Sequence, residues 1–436
     1  MNILNKVKVV VGGQWGDEGK GKVTHFMAKN ASAVARFAGG CNAGHTIIFG
    51  GNTYKLHHLP SGIFMEDCFN VLGNGMVIDP LILLDEINSI TKNGYSVKNL
   101  KISDRAHIIM PYHRYIDGMN ENSAKGTKLG TTGRGIGPVY MDKAARTGIR
   151  VVDLLNSPVL KEKIAFHFKD KEHLLSGSDL TPENVYEKIA PAAEKLIPFI
   201  TDTSTLLYDL MLDGKNILLE GAQGALLDLD FGTYPFVTSS CATSGGTSSG
   251  TGLPPWCLGT VVGIVKAYTT RVGTGPFPTE LKDEIGERLL KVGMEYGTTT
   301  GRARRCGWLD LALLKFASRI NGFTSIALTK LDILTGINKI QVAVDYMYNG
   351  KILEGYPADI EMLNNCTPVY QEFEGWTEDI SKNKTKEELP ANAKNYIKFI
   401  EDYLKIPVSL ISVGGDHDET IISDEKEILF KAPAFV

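Results

Sequence analysis

Two acids, Asp17 and Glu18, lie inside the glycine-rich run Gly12-Gly13-Gln14-Trp15-Gly16-Asp17-Glu18-Gly19-Lys20-Gly21-Lys22. Glycines let successive backbone N–H groups turn inward together, and a helix N-terminus after them adds a positive end, so such a run suits phosphate. Gly16 to Lys22 fits the G-x-x-x-x-G-K register of a P-loop, but Val23 stands where a P-loop carries Ser or Thr. No hydroxyl is available there for Mg²⁺. Carboxylates inside a phosphate cradle repel the ligand unless they bind metal or move protons. The plain alternative, a glycine-rich turn, does not call for an Asp-Glu pair. The next such run, Gly39-Gly40-Cys41-Asn42-Ala43-Gly44-His45-Thr46, brings a histidine, and histidine serves as donor or acid near neutral pH. A lone histidine is usually a packed, hydrogen-bonded one; close glycines and an Asn favour the functional role.

Three further runs have the composition of binding loops. Thr131-Thr132-Gly133-Arg134-Gly135-Ile136-Gly137-Pro138 offers hydroxyls, open backbone and a guanidinium, which suits a phosphomonoester; Arg146 and Arg150 follow. Thr298-Thr299-Thr300-Gly301-Arg302-Ala303-Arg304-Arg305 sets three arginines beside three threonines, as a small dicarboxylate would require. Thr329-Lys330-Leu331-Asp332 closes an aliphatic run. Lys-x-Asp at a strand end can read guanine, the carboxylate accepting from N1–H and the exocyclic amine, whereas adenine presents the wrong pattern. Each run has a bland alternative, a solvated surface loop, and for the bare Lys-x-Asp tetrapeptide that alternative is the stronger.

The elements that must hold these loops are short aliphatic runs ending in glycine or polar residues: Val7–Val11, Ile217–Leu219, Val261–Val265, Ile326–Leu328 and Val408–Val413. Continuous apolar runs suit strands covered on both faces, hence a parallel sheet flanked by helices. Leu309–Ile320 and Ala393–Leu404 carry apolar residues at helical spacing. Strand, loop and helix repeated in this way predict an α/β fold with a large, mostly parallel central sheet and a P-loop-like phosphate loop. Ligands of such sheets collect at the carboxyl ends of the strands, where the unusual loops fall. Thr238–Pro255 is predicted to be a long functional loop. One domain over 1–436 is expected, with peripheral insertions at about 90–210 and 345–390.

With 43% hydrophobic and 22% charged residues the composition is that of an ordinary globular chain. A net charge of -4 gives no basic character for nucleic acid or a membrane surface, so any phosphate site must be local. The six cysteines form no C-x-x-C pair and no zinc spacing, which suits free thiols in a reducing cytoplasm. No apolar run approaches the roughly 18 residues of a membrane span, and Val7–Val11 is too short for a signal-peptide core. A cytoplasmic protein is expected.

Taken together, Gln14 to Lys22, Gly133 to Pro138, Glu220-Gly221-Ala222-Gln223-Gly224, Gly307-Trp308-Leu309-Asp310 and Thr329 to Asp332 resemble the adenylosuccinate synthetases, and the likeness runs from about Lys6 to near the C-terminus. That resemblance implies a GTP-dependent ligase of purine biosynthesis that joins IMP and L-aspartate through 6-phosphoryl-IMP. It implies catalytic roles for Asp17, His45, Lys20 and Gln223. IMP would be held by Asp17, Lys20, Asn42, His45, Thr132, Gln223, Thr238 and Arg302, with Arg146 reaching across from the other subunit of a homodimer. GTP would lie on Gly16, Glu18, Gly19, Gly21, Lys22, Gly44, Thr46 and Arg304, its guanine among Lys330, Asp332, Ser412 and Gly414. Aspartate would meet Thr298, Thr299, Thr300, Arg302 and Arg304. One Mg²⁺ per subunit would sit on the Asp17 carboxylate and the Gly44 carbonyl. Gly414-Gly415-Asp416-His417 departs from the family's usual Gly-Pro-acid-Arg, and Cys241 stands where a small polar residue is usual. A GTP-binding switch would share the phosphate loop and Lys-x-Asp but has no use for Asp17, His45 or the Thr/Arg run. Another ligase or kinase acting on a different small acid is separated only by the family-level match.

Overall fold

The computed structural model describes residues 6–123, 130–297 and 301–430. Its frame is a sheet of ten strands: Val7–Gly12 (β1), Ala33–Arg36 (β2), Phe69–Leu72 (β3), Leu100–Ser103 (β4), Ile200–Thr201 (β5), Ile217–Gly224 (β6), Leu258–Lys266 (β7), Ser325–Thr329 (β8), Val408–Ser412 (β9) and Thr420–Ile422 (β10). Across the sheet they run β10-β9-β8-β7-β1-β6-β2-β3-β4-β5, all neighbours parallel except β9 with β10. Both faces are covered, as the unbroken apolar runs require. Val7, Val9 and Val11 enter the core on one face, together with Ile217, Leu219 and Val265. Val10 enters the other, with Leu218, Val262 and Leu410. A lysine in such a strand needs a reason: the Lys8 ammonium is bonded to the carbonyls of Lys426, Glu427 and Leu429 at the C-terminal turn.

Of the stretch at about 90–210, β4 and β5 run in the main sheet. Much of the rest is helix, and Pro80–Lys92, Pro111–Ser123, Ser157–Asp170 and Pro182–Leu196 pack around a second core that includes Leu83, Ile87, Ile102, Ile164 and Ile189. Lys339–Tyr348 and Thr367–Glu374 form an antiparallel pair in a smaller sheet, joined by Leu309–Asp310.

Two local expectations change. The helix expected over Leu309–Ile320 spans Leu311–Asn321, because the Asp310 carboxylate caps it by accepting from Leu313 N–H at 3.0 Å. The long loop at Thr238–Pro255 contains a short helix, Gly246–Thr251. There Gly250 lies so close to the end of β2 that a Cβ would overlap the Phe37 carbonyl oxygen, so this backbone packs bare against the sheet.

Candidate active site

The loop between β1 and helix α1 (Lys20–Met27) is organised by one of its own acids. Glu18 is buried, and its Oε1 accepts from the backbone N–H of Gln14 at 3.0 Å and Gly16 at 2.8 Å. Its Oε2 takes Lys20 Nζ at 2.6 Å. The Thr329 hydroxyl donates to the Glu18 carbonyl at 2.6 Å, tying the loop to the end of β8. Asp17, by contrast, turns outward in a left-handed conformation (φ 59°) between Gly16 and Gly19, which share that region. A non-glycine residue pays for such a backbone only where its surroundings over-determine it. Lys22, which the P-loop register would place on phosphate, points elsewhere: its ammonium donates to Ser412 Oγ and the Gly414 carbonyl, both at 2.8 Å, and to the Glu419 carbonyl. It braces the end of β9.

His45 opens the strand His45–Phe49 just beyond Gly44, close enough to α1 that a Cβ on Gly21 would lie 2.9 Å from His45 Cβ. Its Nδ1 meets Glu220 Oε1 at 2.5 Å. Glu220 is fully buried in the middle of β6, and its carboxylate also accepts from Ser61 N–H at 2.8 Å and Ser61 Oγ at 2.6 Å. Burial holds the imidazole below its usual range, while the Glu220 charge pulls the other way. Despite its own burial, Glu220 stays below the usual carboxylate range, chiefly through His45 and Arg36. Glu220 therefore fixes the ring with Nδ1 inward and leaves Nε2 to face a ligand.

Around this pair the other loops converge. Gln223 ends β6 in the left-handed region (φ 58°), and its Oε1 is buried without a partner among the described residues. The Asn42 Oδ1 accepts from Gly40 N–H at 3.1 Å, and a Cβ on Gly39 would sit 2.9 Å from Gln223 Oε1. Thr132 is exposed at the mouth of its loop. A Cβ on Gly130 would lie 3.9 Å from Arg302 Nη1, and one on Gly137 3.4 Å from Ser239 Oγ, so the 130–138 run meets both Arg302 and the Thr238 segment. Thr238 itself is anchored through its N–H to the Leu227 carbonyl. Arg146 lies apart: it closes the helix Ile136–Ala145 in the left-handed region (φ 65°), exposed. Its side chain has no hydrogen bond or ion pair among the described residues.

On the far side Arg304 is shared by two acids. Its Nε donates to Asp17 Oδ2 at 2.7 Å and its Nη1 to the buried Glu295 Oε2 at 2.6 Å. Lys330, in the left-handed region, also donates to Glu295, at 2.8 Å. Asp332 Oδ1 is buried with no partner among the described residues, and desolvation raises its pKa. At the end of β9, Glu419 packs on Gly414 and accepts from Asp416 N–H at 2.8 Å. The unusual His417 packs its ring against His25 and Phe26. Cys241 lies near Thr243, its thiol raised by burial, which argues against a thiolate nucleophile. Thr298, Thr299 and Thr300 lie outside the described residues.

No group of three or more metal-ligating side chains occurs among the described residues. That still fits Mg²⁺, which needs only one or two protein carboxylates when phosphates and water complete its shell. Asp17 Oδ1, without a hydrogen bond among the described residues, and the carbonyl of Gly44 are oxygen donors of the right kind. Among the same residues no helix is long and apolar enough to cross a membrane.

Two acids now stand out that the sequence reading did not assign, Glu220 and Glu295. Glu220 had a faint signal, a charged residue within a strand otherwise made to be buried. Glu295 had none.

Residues 9–421 match the family model described as adenylosuccinate synthetase. The chain is 52% identical over 422 residues to the adenylosuccinate synthetase of Clostridium novyi (strain NT), covering 96% of this chain and 99% of that protein. It is 53% identical over 420 residues to that of Thermoanaerobacter sp. (strain X514), covering 95% and 98%. The solved structure of the fully ligated adenylosuccinate synthetase from Plasmodium falciparum matches with a TM-score of 0.92 at 42% identity, over 96% of this chain and 100% of that one.

Proposed function

Because the chain belongs to the adenylosuccinate synthetase family, GTP-dependent ligases that make adenylosuccinate from IMP and aspartate, we propose that the loops at the carboxyl edge of its sheet carry that reaction residue by residue. The observation that carries the assignment is the convergence, beyond the ends of β1 and β6, of an outward Asp17, a His45 held by Glu220 and a Gln223 Oε1 that has no partner among the described residues. Asp17 takes the N1 proton of IMP, so O6 attacks the γ-phosphorus of GTP and GDP leaves. The amine of aspartate then attacks C6, and phosphate departs with the former O6. Phosphorylation matters because oxide is a poor leaving group and phosphate a good one.

A neutral His45 with its proton on Nδ1 can only accept at Nε2. Donation to the phosphoryl oxygens or O6 requires the imidazolium, and the GTP phosphates favour it by adding negative charge beside a ring already facing Glu220. Lys20 adds positive charge at the transferring group. Gln223, Asn42, Thr132, Thr238 and Arg302 hold IMP, and the Gly16–Gly21 backbone cradles GTP together with Gly44 and Thr46. Glu18 acts through the loop it organises, and Lys22 through the strand end beside Ser412 and Gly414. Asp332 accepts from the guanine edge. Arg302, Arg304 and the threonines at 298–300 take aspartate. Asp17 and the Gly44 carbonyl would hold Mg²⁺, whose charge offsets that of the phosphates.

The exposed Arg146, flanked in sequence by the exposed Met141, Val152 and Leu155, supports a homodimer in which it completes the neighbouring site. A cytoplasmic enzyme is the setting consistent with six free cysteines. An isotope experiment tests the phosphorylated intermediate: with ¹⁸O at position 6 of IMP, the label should appear in the released phosphate. Label retained in the water pool alone would contradict it.

A further inference from the structure

Glu295 follows the helix Glu284–Val292, where the Arg304 N–H donates to its carbonyl at 2.8 Å and the neighbouring Tyr296 bridges to Ala303. Its side chain is fully buried. Oε1 accepts from Lys266 Nζ at 3.0 Å, Lys330 Nζ at 2.8 Å and the Tyr268 hydroxyl at 2.5 Å; Oε2 accepts from Arg304 Nη1 at 2.6 Å. One carboxylate therefore serves three cations that belong to different parts of the site. Lys266 ends β7 and is also bonded to Thr270 Oγ1 at 2.7 Å. Lys330 belongs to the same segment as Asp332, whose buried Oδ1 has no hydrogen-bond partner among the described residues, and donates to the Gly293 carbonyl as well. Arg304 bridges to Asp17. Asp17 and Asp332 add two further acids to this cluster, facing Arg304 and Lys330. Even inside the core Glu295 stays ionised, its pKa driven far down by Lys266, Lys330 and Arg304 against desolvation.

We infer that Glu295 is a positioning residue that couples the dicarboxylate side of the site, through Arg304, to the guanine side, through Lys330. The reasoning is electrostatic and geometric. When a ligand carboxylate draws on Arg304, Glu295 has more of its charge to hold Lys330 and Lys266. When guanine engages the Lys330 segment, Arg304 faces a less satisfied Glu295. Each ligand thus changes what the other meets, and linkage makes the effect equal in both directions. The proposal rests on the assignment of Arg304 to aspartate and of the Lys330–Asp332 segment to guanine.

The test uses the full-length enzyme and measures KM for IMP, aspartate and GTP in the wild type, Lys330→Met, Glu295→Gln and the double variant. Lys330→Met lies at the guanine end, so its effect on aspartate is the informative one. The inference expects it to shift the aspartate KM about fivefold or more, the lower end of ordinary coupling, with the IMP KM within about twofold. In the Glu295→Gln background the same substitution should leave the aspartate KM within about twofold, because the link is already broken. An unchanged aspartate KM in Lys330→Met, or the same shift in both backgrounds, overturns the inference. If Glu295→Gln does not fold, the Lys330→Met arm decides alone, since the Lys330 side chain is 31% exposed and the buried Glu295 keeps Lys266 and Arg304 as partners when it is replaced. The site assignment itself fails separately, if the wild type forms no adenylosuccinate from GTP, IMP and aspartate.

Discussion

Replacing Glu220 by glutamine should cost turnover without loosening IMP. The carboxylate accepts three hydrogen bonds, from His45 Nδ1 at 2.5 Å and from Ser61 N–H and Oγ at 2.8 and 2.6 Å. An amide keeps one acceptor oxygen and turns the other end into a donor, so one face of Glu220→Gln points N–H groups at donors. It also removes the charge that stabilises an imidazolium. Two charge-assisted bonds lost or weakened, at about 1.5–2 kcal/mol each, amount to about 3–4 kcal/mol. If that falls on the transition state, kcat drops about 10²–10³-fold. Steady-state kinetics with each substrate varied would read it, and a thermal melt would confirm a folded variant. The pH profile adds an independent check. His45 must be protonated to donate, so activity falls as pH rises through its pKa in the complex. The Glu220 charge raises that pKa, so removing it should move the falling limb to lower pH. A kcat within about threefold of wild type, or a loss matched by the IMP KM with no change in the pH profile, would refute the reasoning.

Other outcomes follow from the same geometry. Asp332→Asn replaces an acceptor of two guanine donors by an amide, and the GTP KM should rise about 10²-fold or more, with xanthosine triphosphate, whose C2 carbonyl can accept from the amide, recovering part of the loss; equal KM values for GTP in variant and wild type would exclude the contact. Asp17→Asn and Arg146→Leu homodimers should each be nearly inactive, whereas mixing them with subunit exchange should restore about a quarter of wild-type activity, since half the dimers then hold one intact site. No recovery, despite demonstrated exchange, would count against a shared site. Burial lowers His25, His107 and His167 from 6.5 to about 4. The unfolded chain takes up those protons first, so the stability they carry is full above pH 6.5 and is lost as pH falls toward 4. Urea midpoints should fall across that window, with a slope of up to about 4 kcal/mol per pH unit from the three together; a flat profile from pH 7 to 5 would contradict the burial argument.

The sequence made the centre of the sheet visible and left its flank obscure. β1, β6, β7, β8 and β9 are aliphatic runs buried on both faces, which is the pattern periodicity detects. β2 is four residues ending in Arg36, whose guanidinium is buried against the carbonyls of His57 and His58, and β5 is only two residues. Nothing local marks either. The loops were legible because glycine beside Asp, His, Thr or Arg serves few purposes other than binding. The partnerships between them were not, because they join residues far apart in the chain: His45 with Glu220 across 175 positions, and Arg304 with Asp17 across 287. Lys22 shows the limit of a motif. Its register matches a P-loop lysine, yet its ammonium is bonded to Ser412 Oγ and the Gly414 carbonyl instead.

The central claim is that this site joins IMP to aspartate at the expense of GTP. Purified protein with IMP, aspartate, Mg²⁺ and either GTP or ATP, followed by the ultraviolet change as adenylosuccinate forms, tests it most directly. Product with GTP and none with ATP is the predicted result. Folded protein that binds GTP but yields no product with either nucleotide would contradict it.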